Sequence, residues 1–198
     1  MYGLVRADAA TASLLLNLEA AFTAAIAWMV FRENVDRRVF LGMAAIVAGG
    51  IVLSWHELPR AGGLAGPLLI AAACLAWGID NNLTRRVSGG DAVAIAGLKG
   101  AVAGAVNLAL GLSLGASLPA ASVLAAAAVV GFFGYGISLA FFVVALRHLG
   151  TARTGAYFSV APFFGAALAL LLLHESVSTA FGIAAALMAA GVWLHVTE

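Results

Sequence analysis

Charge is scarce in this chain, and so is cysteine. Only 10% of its 198 residues are Asp, Glu, Lys or Arg, against about 25% in soluble domains. The single cysteine, Cys74, excludes a disulfide framework and a cysteine-based metal site. A net charge of +1 leaves no broad basic field for nucleic acid. The histidines His56, His148, His174 and His195 all lie at the ends of apolar runs, without the His-Glu-x-x-His spacing of a zinc hydrolase. Gly-x-Ser-x-Gly and phosphate-loop patterns are missing too. The sequence therefore offers no catalytic residue, metal site or cofactor, and the expectation is a protein that is not an enzyme. No secretory signal is expected within it: the first apolar run is too long, carries Glu19, and lacks a basic start and a cleavage site.

What is present is hydrophobicity, at 64% of residues. A membrane-crossing helix needs about 20 mostly apolar residues. Seven runs come close to that: 9–31, 39–55, 65–84, 92–114, 121–146, 154–173 and 179–196. Spanning strands are excluded, because the runs exceed the ~10 residues of a barrel strand and do not alternate. Helices satisfy every backbone group where no water can. The expected fold class is all-α: a polytopic membrane protein of about seven transmembrane helices.

Orientation follows from Arg and Lys, which favour cytoplasmic loops. Arg32, Arg37, Arg38, Arg85, Arg86, Arg147 and Arg153 fall on one side with the C-terminus, and only Arg6 and Arg60 on the other. The first side is expected in the cytoplasm. Met1 would then lie outside, an uncommon arrangement that points to a missing segment upstream.

An offset of 142 residues lays the first two runs over the last two. Phe22, Ala24, Ala25, Ala27, Glu33, Val35 and Gly49 then meet Phe164, Ala166, Ala167, Ala169, Glu175, Val177 and Gly191. The two copies cross the membrane in opposite directions, and inverted repeats of this kind build many secondary transporters. The five-helix period implies a ten-helix whole. Residues 1–57 are read as the end of a first repeat, 58–66 as an extracytoplasmic connection, and 67–198 as a complete second repeat.

The stretch "TASLLLNLEAAFTAAIAWMVFRENV" resembles the helix-four signature of EamA domains in the drug/metabolite transporter superfamily. "ALRHLGTARTGAYFSVAPFFGAALALLLLHESVS", from Ala145 to Ser178, resembles the same signature in the second EamA repeat more closely. The resemblance implies ten helices, cytoplasmic termini and the export of small metabolites. It also implies that three helices of the central cavity are missing here, and that Ala20 stands where the family often has proline, as at Pro162.

Within lipid an ionised side chain costs roughly 2.5–3.5 kcal/mol on insertion scales, so each one needs a reason. Glu19, midway along the first run, either lines a cavity or packs in neutral or paired form. Asn17 lies about 200° around the same helix, so one of the two packs while the other faces the cavity. Asp80 and Lys99 enter the membrane from the same edge, at ~7.5 Å and ~12 Å along neighbouring antiparallel helices, and are expected to form a charge pair or gate. Asn81 and Asn82 are read as covering the approach to water. Trp77, Tyr135, Tyr157, Ser159 and Pro162 complete the candidate cavity set. Gly97, Gly100, Gly104, Asn107 and Gly111 form a stripe for close helix packing, with Asn107 available for a bond across it. Glu33 and Glu175 are expected to favour the start of the helix that follows each.

The leading expectation is a secondary transporter, an exporter in the cytoplasmic (inner) membrane, moving small metabolites by alternating access. Its partners would be a small-molecule substrate and membrane lipid, with either homo-oligomerisation or the missing N-terminal helices completing it, and no nucleic acid. The alternative is a non-transporting fragment or accessory protein that packs against other helices.

Overall fold

The computed structural model describes residues 3, 7–34, 36–57, 64–175 and 177–197. Met1, Arg6, Val35, Arg60 and the break at Pro59, Gly62 and Gly63 lie outside the described residues. Every regular element among the described residues is helical. The helices are α1 (Ala9–Leu15), α2 (Leu18–Met29), α3 (Arg37–Glu57), α4 (Ala65–Val87) and α5 (Ala92–Ser113). They continue with α6 (Ala121–Val130), α7 (Ser138–Leu149), α8 (Thr151–Phe158), α9 (Ala161–Leu173) and α10 (Thr179–Val196). A π-helical segment, Gly131–Ile137, joins α6 to α7.

These elements compose seven rods, one for each apolar run. Five are long and apolar enough to cross a membrane: Ala9–Met29, Arg37–Trp55, Ala92–Ser113, Ala121–Leu149 and Thr151–Leu173. The apolar part of α10, Thr179–Leu194, is shorter. In α4 the last turns carry Asp80, Asn81, Asn82, Arg85 and Arg86, which dilute its apolar length. Large apolar side chains such as Leu98, Val102, Leu171, Leu172 and Trp193 stand exposed, the pattern of a surface that faces lipid.

The chain divides into two compact units, Met1–Leu83 with Thr151–Glu198, and Thr84–Gly150. In the first unit α1 packs on α9, α8 on α2, and α3 on α10. The 142-residue offset places α1 over α8, α2 over α9 and α3 over α10, so the first two contacts exchange under it. Two rods are interrupted at nearly equivalent points: Leu16 and Asn17 part α1 from α2, and Ser159 and Val160 part α8 from α9. Proline explains only the second break, because Pro162 opens α9 where it has no N–H to offer. In the first, Ala20 keeps its N–H, which bonds to the Asn17 carbonyl at 3.1 Å in a tightened turn.

The ends of these rods also correspond. Arg32 and His174 adopt φ 55° and 53°, the only positive values at non-glycine residues among those described. Asp36 caps α3 by accepting from Arg38 N and Val39 N, and Ser178 caps α10 by accepting from Phe181 N. All four residues fall into pairs under the same offset. A left-handed conformation strains any side chain with a Cβ, so His174→Gly is expected to raise thermal stability by up to about 1 kcal/mol. Melting of the detergent-purified protein measures it, and a lowered melting temperature would show that the imidazole makes a contact worth more than the strain.

Glycine sets the α3–α10 spacing. A Cβ on Gly49 would come 2.7 Å from Met188 Cγ and 3.0 Å from the Ala184 carbonyl oxygen. A Cβ on Gly191 would come 2.7 Å from both the Gly42 carbonyl oxygen and Ile46 Cγ1. Without a strong hydrophobic drive between helices in lipid, such close backbone approach supplies the packing energy. Val39, Met43, Ile46, Leu53, Ala184, Met188 and Val192 are buried along this contact.

In the second unit α5 packs on α7. Asp91 caps α5, accepting from Val93 N at 2.8 Å and Ala94 N at 3.0 Å. The bonds from Ala94 and Val93 hold its carboxyl below the usual carboxylate range. Arg147, in the last turn of α7, donates to the carbonyls of Ser88 and Gly90 in the α4–α5 turn. Gly150, at φ 81°, ends α7 in a conformation that glycine adopts without strain. The glycine stripe of α5 is open: a Cβ on Gly97, Gly100 or Gly104 would meet nothing within 4 Å. Asn107 turns back on its own helix, donating to the Ala103 carbonyl at 2.8 Å, rather than bonding across the stripe.

Candidate functional site

The polar groups of the first unit converge where α4 lies along α1 and α2. Ile70, Cys74, Gly78, Asn81 and Asn82 recur at helical spacing and are all buried, so they define the inner face of α4. Cys74 Sγ lies 3.8 Å from the carbonyl oxygens of Leu15 and Leu16, beside the helix break. One turn on, Gly78 allows direct contact: its Cβ would be 3.1 Å from Thr23 N.

Beyond Gly78 the contact becomes polar. Glu19 and Thr23, one turn apart on α2, share a face. Asn81 Nδ2 donates to Glu19 Oε1 at 2.8 Å and to Thr23 Oγ1 at 3.2 Å. Asn82 Nδ2 donates to the Thr23 carbonyl at 3.0 Å and to the Gly78 carbonyl at 2.8 Å. Thr23 is fully buried, Asn81 and Asn82 nearly so, and Glu19 only partly. The result is a carboxylate with one oxygen held by an amide and part of its surface still open. Such a group can accept a proton or bind a donor from a solute.

The two amides do not cover an approach to water. Adjacent residues on a helix diverge by about 100°, yet both fit against α2 because they straddle its contact line and take different atoms of the same residue, Thr23. Sequence reasoning missed Asn81 as the partner of Glu19, and Thr23 as the residue that anchors both amides. The signal was the four-residue spacing from Ile70 through Cys74 to Gly78, which continues onto the amides.

The other candidate residues are dispersed. Asn17 stands in the break itself and is buried, its Nδ2 donating to the Leu14 carbonyl at 3.2 Å. Its angular relation to Glu19 is therefore not that of one unbroken helix. Asn17 Oδ1 and Asn82 Oδ1 are buried without a hydrogen-bond partner among the described residues. Ser159 is buried and donates to the Gly155 carbonyl at 2.7 Å. The Pro162 carbonyl accepts from Ser13 Oγ at 2.8 Å, joining α9 to α1. Trp77 and Tyr157 are exposed on α4 and α8, and Tyr135 is exposed in the π-helical segment of the second unit. Lys99 Nζ donates to Thr84 Oγ1 at 2.8 Å, and Asp80 precedes Thr84 by one turn on the same face of α4. No cluster of three or more His, Cys, Asp or Glu suited to a metal ion occurs among the described residues.

Residues 64–197 match the EamA-like transporter family. Across 97% of the chain the sequence is 33% identical to an uncharacterized transporter of Methanothermobacter thermautotrophicus, of which it spans 58%. Over 53 residues, 27% of the chain, it is 40% identical to a probable 4-amino-4-deoxy-L-arabinose-phosphoundecaprenol flippase subunit, ArnE, of Pseudomonas fluorescens, spanning 46% of that protein. The chain thus spans about half the length of these relatives. No solved structure matches it.

Proposed function

The chain belongs to the EamA-like transporter family, and on that premise we propose that it moves a small metabolite out of the cell by alternating access. It does so as part of a ten-helix inverted-repeat architecture in the cytoplasmic membrane, with its C-terminus in the cytoplasm. The observation that carries this reading is the bond from Asn81 to Glu19 inside the apolar bundle. An acid at that depth is costly to keep without a task. Glu19 receives an amine or hydroxyl group of the solute, or a coupling proton, while Asn81, itself anchored on Thr23, fixes its carboxyl group.

Asn17, Ser159, Pro162, Trp77, Tyr135 and Tyr157 keep their place as candidate cavity residues. Asp80 and Lys99 keep theirs near the cytoplasmic edge. The partners are the solute, membrane lipid, and either a second copy or three further helices. A second reading, an accessory protein that packs on other helices, is favoured by the open glycine stripe of α5.

Export of a panel of amino acids and small amines from cells producing the chain separates the two readings. For an exported solute, Glu19→Gln is expected to cut the rate about tenfold or more while membrane insertion is unchanged, because a charge-assisted bond becomes a neutral one. Undiminished export would remove Glu19 from the mechanism. No export above that of cells lacking the chain would favour the accessory reading.

A further inference from the structure

Two glutamates outside this site reach from the end of one rod to the start of another, at opposite ends of the first unit. Glu33 follows the end of α2, and its Oε1 accepts from Thr151 Oγ1, at the start of α8, at 2.9 Å. Glu175 follows the end of α9, and its two carboxylate oxygens accept from Ala9 N at 2.9 Å and Ala10 N at 2.8 Å, at the start of α1. The 142-residue offset carries Glu33 onto Glu175 and Ala9 onto Thr151. Neither glutamate bonds to the start of the helix that follows it, contrary to the expectation from the sequence. Each reaches across to the opening turn of the other rod, where the unpaired N–H groups and the helix dipole favour an anion.

The backbone explains how they reach. Arg32 and His174, the two left-handed residues, immediately precede Glu33 and Glu175. Each turns the chain sharply at the end of a rod and aims the next side chain backwards. Strained residues of this kind persist only where surrounding contacts hold them, and they collect at switching segments. Since α1 packs on α9 and α8 on α2, the two rods lie antiparallel, with one glutamate contact closing each end.

We propose that Glu33 and Glu175 are paired latches, and that releasing one opens its end of the rod pair while the other stays shut. This rests on the transporter reading for its purpose. Both latches are engaged in the structure. The latches are unequal: Glu175 takes two backbone donors and Glu33 a single hydroxyl, so the Glu33 end releases more readily.

Buried reporters at equivalent positions test this. Ala12 lies three residues into α1 and is 2% exposed, and Thr154 lies three residues into α8 and is 3% exposed. Ala12→Cys and Thr154→Cys are made separately in a Cys74→Ala background. Each protein is reconstituted into liposomes with a membrane-impermeant maleimide on both sides, without solute. Glu175→Ala is expected to speed labelling at position 12 by about tenfold to a hundredfold and leave position 154 unchanged or slower, since charge-assisted bonds to the latch are lost. Glu33→Ala should do the reverse. Glu175→Gln, which keeps one of two acceptor oxygens, should give an intermediate rate at position 12 even if the alanine variant inserts poorly. Acceleration at both positions together in either variant would make the glutamates simple helix caps and overturn the proposal, as would unchanged rates. Because labelling needs no solute, a failed transport assay leaves this result standing, and the reverse holds too.

Discussion

Gly191→Val is expected to be the most destabilising single substitution in the first unit. The added Cβ alone would lie 2.7 Å from a backbone oxygen, that of Gly42, and 2.7 Å from Ile46 Cγ1. A backbone carbonyl in mid-helix has nowhere to move without parting α3 from α10. Overpacking of an adaptable core costs about 1–3 kcal/mol, and this site should reach or exceed the top of that range. The equivalent Gly49→Val should cost less, because its nearest neighbour is the flexible Met188 side chain. Gly104→Val on α5 meets open space and should change little. Thermal melting in detergent ranks the three, and a Gly104 variant as damaged as the Gly191 variant would show that the α5 stripe is covered in the working protein.

Asn81→Leu should have the second large effect. It strips Glu19 of its amide partner and Thr23 of a donor, within an apolar contact. Leaving a buried acceptor without its bond costs about 1–3 kcal/mol. The double variant Glu19→Leu with Asn81→Leu removes both partners and should recover much of that loss, because no stranded polar group remains. A cycle of Glu19→Leu, Asn81→Leu and the pair measures the coupling, expected at about 0.5–3 kcal/mol. If the two losses simply add, the bond from Asn81 to Glu19 contributes nothing to the fold, and the reading of a carboxylate fixed by Asn81 fails with it.

The helical architecture was legible because lipid leaves so few choices. Long apolar runs must be helices, and their limits followed from where charge returns. The 142-residue offset also led directly to Glu33, Glu175, Gly49 and Gly191, all of which make close contacts between elements. The interruptions were less legible. The break at Leu16 and Asn17 carries neither glycine nor proline, and the π-helical turn has no hydrophobic period of its own. The site was half visible. Glu19 stood out as an acid in lipid, but its partner Asn81 lay 62 residues away in sequence. Asn81 looked like the polar end of a helix, and only the packing face of α4 shows that it turns inwards.

The π-helical stretch from Gly131 to Ile137 changes which way the two halves of its rod face. Each of its turns holds about one residue more than an α-turn, because its bonds run to the fifth residue rather than the fourth. The surplus residue puts the faces of α6 and α7 out of step with each other. Phe132, Phe133 and Tyr135 stand exposed on these wider turns, while Val143 and Leu146 are buried in α7.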